Sequence, residues 1–255
     1  MNTAAAAATA GCTACRARSQ CLTPGLDAET LRRIESRLVT TRRKVPAGAA
    51  LFRTGDRLGA LYAIRTGSFK TQACTPRGRE HVTAFRLPGD LLGLDAIATS
   101  RHGADAVALE DSEVCVIPAD RLHDLALEVP ALQAALHRAM SREIVRQKRA
   151  LAQLGSMSSA QRVAAFLLDF SERLNADGDP PSSFALAMRR NEVSSHLGLE
   201  IETVCRTVAK LQAAGLIRVR QRVVRIVDRD GLAAILEGRH TLASGRRPAE
   251  TRAPT

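Results

Sequence analysis

Hydrophobic residues change their period along the chain. From Val45 to about Pro118, short apolar runs such as Leu61-Tyr62-Ala63-Ile64 alternate with turn residues. These turns are Pro46-Ala47-Gly48, Thr54-Gly55-Asp56, Arg65-Thr66-Gly67, Thr75-Pro76-Arg77-Gly78 and Leu87-Pro88-Gly89-Asp90. Turn signals roughly every ten residues predict short strands, and short strands in series predict an all-β sandwich or barrel. Beyond Pro130 the apolar positions Leu132, Leu136, Met140, Ile144, Leu151 and Leu154 fall mostly three, four or seven apart. No Gly or Pro interrupts Ala131–Leu154, so one helix of roughly 36 Å is predicted. An apolar seam on a long, otherwise basic helix predicts a contact with the same helix of a second copy. Packing on its own β-domain alone is the plainer alternative.

Two further segments complete the pattern. Residues 26–44 predict a short helix, with Leu26, Ile34 and Leu38 on one side and the basic run Arg42–Lys44 at its end. Residues 157–238 predict a compact module of helices and strands. Ala160–Leu174 is amphipathic, Asp177-Gly178-Asp179-Pro180-Pro181 is a loop, and Arg190–Leu211 reads as helix, glycine turn, helix. Val193, Leu197, Ile201, Val204, Val208 and Leu211 are expected to face inward and lock the two helices together. Gly198 allows the tight turn, and Glu200 caps the second helix only weakly. Glu202, Cys205 and Arg206 lie on the opposite face near the helix N-terminus, where a recognition helix meets base edges. Gly215 ends that helix, and Leu216–Ile226 reads as a basic β-wing.

Charge sharpens this reading. The 255 residues carry 37 Lys and Arg against 26 Asp and Glu, a net +11 that favours a polyanionic partner. Residues 22–130 are almost neutral, with 15 basic and 14 acidic side chains. Residues 131–160 carry five basic against one acidic, and residues 189–226 eight against three. A solvated basic face is the bland explanation, but two adjoining segments of one sign point to nucleic acid. Aromatic residues make up only 3%, so the β-core must be built from Leu, Val, Ile and Ala. No run of about 18 apolar residues is present, and the alanine-rich start lacks a basic leader. The chain therefore reads as cytoplasmic, with no membrane partner.

Cysteines supply the second signal. Cys12-x2-Cys15-x5-Cys21 places three thiols in ten residues among small neighbours, while Cys74, Cys115 and Cys205 are scattered. Structural disulfides are not expected in a cytoplasmic chain. Three thiols this close are ligands of a soft metal centre or a redox trio, and their spacing leaves zinc and iron–sulfur open. Either centre needs a fourth ligand. An enzyme would need other chemistry, and the chain contains no HExxH, nucleophile elbow or GxxxxGK[ST] loop.

Several stretches resemble the oxygen-sensing Fnr branch of the Crp/Fnr transcription regulators. They are the Cys-x2-Cys-x5-Cys arm, Leu51-Phe52 with Gly55-Asp56, Leu61–Arg65, Leu87–Leu91, Gly93 with Asp95-Ala96-Ile97, Val114–Pro118 and Leu197–Arg206. The resemblance covers nearly the whole chain. It implies an α+β architecture: a β-roll of the cyclic-nucleotide-binding jelly-roll type, a long dimerisation helix and a C-terminal winged helix-turn-helix. On this reading residues 1–25 are a cluster-binding arm, 26–130 the β-roll, 131–156 the dimerisation helix, 157–238 the DNA-binding domain and 239–255 a flexible tail. By resemblance, Cys12, Cys15, Cys21 and Cys115 hold a [4Fe–4S] cluster, leaving Cys74 and Cys205 as spares. Zinc or a thiol switch in the arm is the competing expectation.

The resemblance further implies a homodimer that binds an inverted-repeat operator on double-stranded DNA at low oxygen, works with RNA polymerase and controls anaerobic metabolism. In that role Arg206 would read a guanine and Glu202 the complementary strand. Cys205 departs from the serine usual in the family, and Arg220-Gln221-Arg222 stands where the wing turn often has glycine. Cyclic-AMP receptors of the same fold carry Gly-Glu-Leu and then an Arg-Ser or Arg-Thr pair. Here the turn is Gly89-Asp90-Leu91, the later segment is His102-Gly103-Ala104-Asp105-Ala106, and Asp105 would repel a phosphate. No cyclic nucleotide is expected. Haem is the other rival, with His81, His102, His123 and His137 available, but scattered surface histidines are the common case.

Overall fold

The computed structural model describes residues 11–39, 41–74, 78, 80–174 and 182–239. The first ten residues of the arm, the turn residues Thr75–Arg77, the loop Asp177–Pro181 and the tail from position 240 lie outside the described residues.

Helix α1 (Ala28–Arg37) opens on Asp27, whose carboxylate accepts the Thr30 N–H at 2.7 Å. It is shorter than the sequence suggests. Arg42–Lys44 belong instead to strand β1 (Thr41–Val45), because β8 (Ser112–Pro118) offers them an antiparallel ladder. Strands β2 (Ala50–Phe52), β3 (Ala60–Thr66), β4 (Phe69–Cys74), β5 (Glu80–Arg86), β6 (Leu91–Leu92) and β7 (Asp105–Ala108) complete the β-roll. Two four-stranded sheets result, ordered β1-β8-β3-β6 and β2-β7-β4-β5. Strand alternation sends Ile64 and Val114 into the core between the sheets, where they meet Phe52, Phe69 and Ala106. Leu61, Ala63 and Ile117 point to the other side and pack beneath the arm and α1.

Helix α2 (Ala119–Glu128), which the sequence reading missed, leads into α3 (Pro130–Ser156). Proline sits at the first turn of α3, where its absent N–H costs nothing. The helix runs 27 residues. Leu132, Ala135 and Ala139 are buried against the molecule itself, whereas Ile144, Val145 and Leu151 are exposed, Leu151 by 70%.

The C-terminal module comprises α4 (Ser159–Leu174), β9 (Ser183–Ala185), α5 (Arg190–Leu197), α6 (Ile201–Ala213), β10 (Ile217–Arg220), β11 (Val223–Ile226) and α7 (Arg229–Leu236). The wing is a three-stranded sheet ordered β10-β11-β9, in which β9 comes from outside the expected Leu216–Ile226 segment. Its core runs on into the β-roll through Val82, Phe85 and Leu87. Helix α5 is docked there: the Val82 N–H donates to Ser195 Oγ at 3.0 Å, and Lys70 pairs with Glu192 at 2.9 Å. Among the described residues no helix is long and apolar enough to cross a membrane.

Candidate metal centre and nucleic-acid interface

Four cysteines from two distant stretches meet on the outer face of sheet β1-β8-β3-β6. Alternation along β8 turns Val114 inward and Cys115 outward, with Arg42 of β1 and Ala63 of β3 as its ladder neighbours. The arm crosses this face. Cys12 opens a 3-10 turn (Cys12–Ala14), and Cys12, Cys15, Cys21 and Cys115 line one cavity together with Ala17, Leu22, Ile34 and Arg65. Cys74, on β4, and Cys205, on α6, do not line it.

This environment opposes isolated thiolates. Burial pushes the Cys21 thiol up to about 12, and the three neighbouring thiols add to the rise. Burial takes Cys12 to about 11, helped by the Glu35 carboxylate, Cys115 and Cys15. Cys115 is raised too, by burial and then Cys15, with Arg42 and Arg65 opposing. Thiols that resist ionising alone, yet face one another, are donors that a cationic centre would deprotonate. Among the described residues no three His, Cys, Asp or Glu side chains converge on a single ion-sized point. The four thiols surround a space instead.

The arm beyond Gly11 is packed, in contrast to the loose segment its small residues suggest. Ala17 and Leu22 are buried, and the Glu35 carboxylate fills the place a Cβ at Gly11 would need. Gln20 Nε2 donates to the Arg173 carbonyl at 2.9 Å, Arg142 to the Gln20 carbonyl at 3.3 Å and Arg138 to the Pro24 carbonyl at 3.1 Å. The arm thereby touches both α3 and α4.

Asp90 joins the same helices to the β-roll. It is buried, and it accepts from Arg146 of α3 at 2.6 Å, from Arg173 of α4 at 2.5 Å and from the Leu87 N–H at 2.9 Å. Burial alone would raise its pKa, but Arg173, Arg146 and Arg86 outweigh that and hold it at about 2. Arg86 in turn pairs with Glu143 of α3. This junction is not visible in the sequence. Its partners lie 56 and 83 residues away, so no local pattern announces it.

On the reading head, Glu202 and Arg206 are exposed on α6, and Cys205 is half-buried. Arg190 of α5 donates to Cys205 Sγ at 3.4 Å. Gly198 takes φ +59°, as the turn requires. Ile201 departs from the expectation that it faces inward. It is exposed by 43%, because it is the first residue of α6 and Leu199 of the turn packs on the core in its place. At the wing tip Gln221 adopts φ +53°, the left-handed conformation that glycine would take without strain. A groove unforeseen from sequence runs beside the recognition helix, lined by Ser158, Ser159, Thr203, Arg206 and Lys210. Ser158 and Gln161 cap the start of α4 reciprocally there. The Ser-x-x-Gln spacing was the available signal.

Comparison with known proteins matches these two parts to known domains. Residues 42–128 match the cyclic nucleotide-binding domain and residues 161–235 the Crp-like helix-turn-helix domain. The chain is 41% identical to the transcriptional regulatory protein btr of Bordetella pertussis, over 89% of this chain and 93% of that protein. It is 35% identical to the fumarate and nitrate reduction regulatory protein of Salmonella typhimurium, over 88% and 89%. The chain belongs to the Fnr-like branch of the Crp/Fnr transcription regulators. Among solved structures, FixK2 from Bradyrhizobium japonicum superposes with a TM-score of 0.71 at 25% identity, covering 82% of this chain and all of that one. As a Crp/Fnr member it is a transcription regulator with a helix-turn-helix for DNA, and it is not an enzyme.

Proposed function

We propose that this regulator responds to oxygen through a [4Fe–4S] cluster held by Cys12, Cys15, Cys21 and Cys115. The observation that carries the proposal is the single cavity lined by these four thiols, three from the arm and one from β8. Four thiols with no His among them suit zinc and an iron–sulfur group alike, and the likeness to fumarate and nitrate reduction regulators favours the cluster. When bound, such a cluster supplies an oxygen-labile tether between arm and β-roll. The protein's part is positional. With the arm held, Gln20 stays on Arg173, and Arg138 and Arg142 of α3 stay on the arm backbone.

The partner helix of a second copy would cover the exposed seam at Ile144, Val145 and Leu151, giving a homodimer with two reading heads. Each head would enter the major groove of an inverted repeat, with Arg206 bidentate to guanine and Glu202 accepting from cytosine on the other strand. Lys210 and the capped start of α4 face the groove beside them and suit phosphates. RNA polymerase is the expected downstream partner, and genes of anaerobic metabolism are the expected targets. A cyclic nucleotide has no part in this reading, since Asp90 is engaged by two arginines and Asp105 is held ionised by its bonds to Thr54.

The test is a visible spectrum with iron and sulfide content. Protein purified without air should be brown, with about four iron and four sulfide per chain for a full cubane, and should bleach in air. Colourless protein carrying one zinc per chain would overturn the cluster.

A further inference from the structure

The winged-helix module contains a second cavity that the thiol centre does not touch. It lies between α4, α5, α6 and the wing and has a volume of about 270 Å³. Phe166, Leu167, Val193, Val204, Val208 and Val219 form its apolar walls. Arg189, Arg190 and Arg222 also line it, and among the described residues no Asp or Glu does. The carboxylate closest in sequence, Glu192, is already held by Lys70.

This combination narrows the ligand class. Apolar walls would leave the polar edges of a sugar or nucleotide unpaired, at a cost that binding could not recover. Guanidinium groups without a carboxylate among them select an anionic head and discriminate against an ammonium group. The volume exceeds the roughly 150 Å³ apolar cavity that takes up benzene, so a larger hydrocarbon fits. We propose that this cavity binds a medium-chain fatty acid of about eight to ten carbons, a small ligand by the usual range of pocket sizes. The alkyl chain lies among Val193, Val204 and Val208, and the carboxylate meets Arg190 and Arg222.

Occupancy bears on DNA binding. Arg190 contacts Cys205 on the recognition helix, and Arg222 sits in the wing. A bound carboxylate neutralises positive charge on α5, beside the recognition helix, and on the wing, so it weakens operator binding. Every lining residue falls between Val163 and Val224. The proposal therefore stands or falls apart from the arm and its thiols.

The experiment titrates decanoate into the full chain by calorimetry, below its micelle concentration. 1-Decanol and decyltrimethylammonium serve as companions, and operator affinity is followed at fixed salt. Decanoate should bind saturably at one per chain, decanol at least tenfold more weakly and the ammonium not at all. Operator affinity should fall severalfold as decanoate saturates. Val219→Phe, which fills the cavity, should lose decanoate binding, and its operator affinity, whatever its own level, should not change when decanoate is added. Methyl NMR of the unaltered chain should place the largest shifts at Val193, Val204, Val208 and Val219, whatever the fate of that variant. The proposal is overturned by absence of saturable binding, by equal binding of all three probes, by shifts centred elsewhere, or by an operator affinity indifferent to bound decanoate.

Discussion

The thiol arm and the winged helix are held in place by different means. Around Cys12–Cys21 the backbone has little regular structure, and its position depends on remote partners. Leu22 and Leu26 pack under α1, Gln20 reaches Arg173, and Arg138 reaches Pro24. The winged helix builds most of its core from its own residues, from Val163 through Phe170 to Ile235, continued by Val82, Phe85 and Leu87 of the β-roll, and it has its own caps. Loss of one tether can therefore release the arm, while the reading head keeps its internal packing. An arm held by borrowed contacts is easier to disturb than a module that builds most of its core from its own residues. Asp90 stands between them and links the β-roll to the helices of both.

The sharpest way to break the contrast is at the thiols. Cys115→Ser should remove the cluster and anaerobic operator binding together, while Cys74→Ser should leave both unchanged. Iron content and DNA binding in the two variants decide this, and the opposite pattern would reassign the fourth ligand.

Asp90 comes next. Asp90→Asn strands Arg146 and Arg173 with half a partner, and breaking a buried pair costs about 3 kcal/mol or more. Denaturant unfolding should show the loss, and the same variant should loosen the arm. The pH dependence follows from the depressed carboxyl. Its folded pKa of about 2 lies below the ordinary 3.8, so its contribution is present in full above about pH 4. That contribution, on the order of 2 kcal/mol, disappears as pH falls towards 2. In Asp90→Asn this part of the acid dependence should vanish, and an unchanged acid profile would remove Asp90 from the account.

Arg206 tests the reader alone. Arg206→Ala should cost roughly 1–3 kcal/mol of preference at one guanine while leaving cluster content at the parental level. Competition among single-base operator variants at stated salt measures it. A uniform loss across all variants would mean a phosphate contact instead.

The smallest effect concerns the wing. A left-handed non-glycine residue costs roughly 1–2 kcal/mol, part of which glycine returns in unfolded-state entropy. Gln221→Gly should therefore stabilise the chain by about 0.5–1 kcal/mol, seen as a raised Tm. A lowered Tm would mean that the glutamine side chain contributes more than the strain removes.

Much of this was legible in the sequence. Glycine-marked turns announced the β-roll, an uninterrupted apolar period announced α3, and Gly198 between two apolar-patterned runs announced the helix-turn-helix. Segments without an apolar signature were misread. Arg42–Lys44 look like a helix end because their side chains carry charge, and only β8 makes them a strand. Strand β9 is three residues that pair solely because β11 presents an edge. Helix α2 did have a signal, with Leu122, Leu125 and Val129 spaced for one buried face, but it directly follows strand β8. Among the site residues, the arm thiols stood out by spacing and Cys115 only by resemblance, since nothing local to β8 distinguishes it. Long-range pairs such as Asp90 with Arg173 exist only once the chain is folded.

The central claim is that the state of the four-thiol site governs DNA binding by the winged helix. One anaerobic preparation, exposed to a limited pulse of air, tests it most directly when cluster absorbance and operator affinity are followed in the same sample. The two should fall together, and affinity should end at the level of Cys115→Ser. Bleaching to completion with operator affinity unchanged would contradict the account.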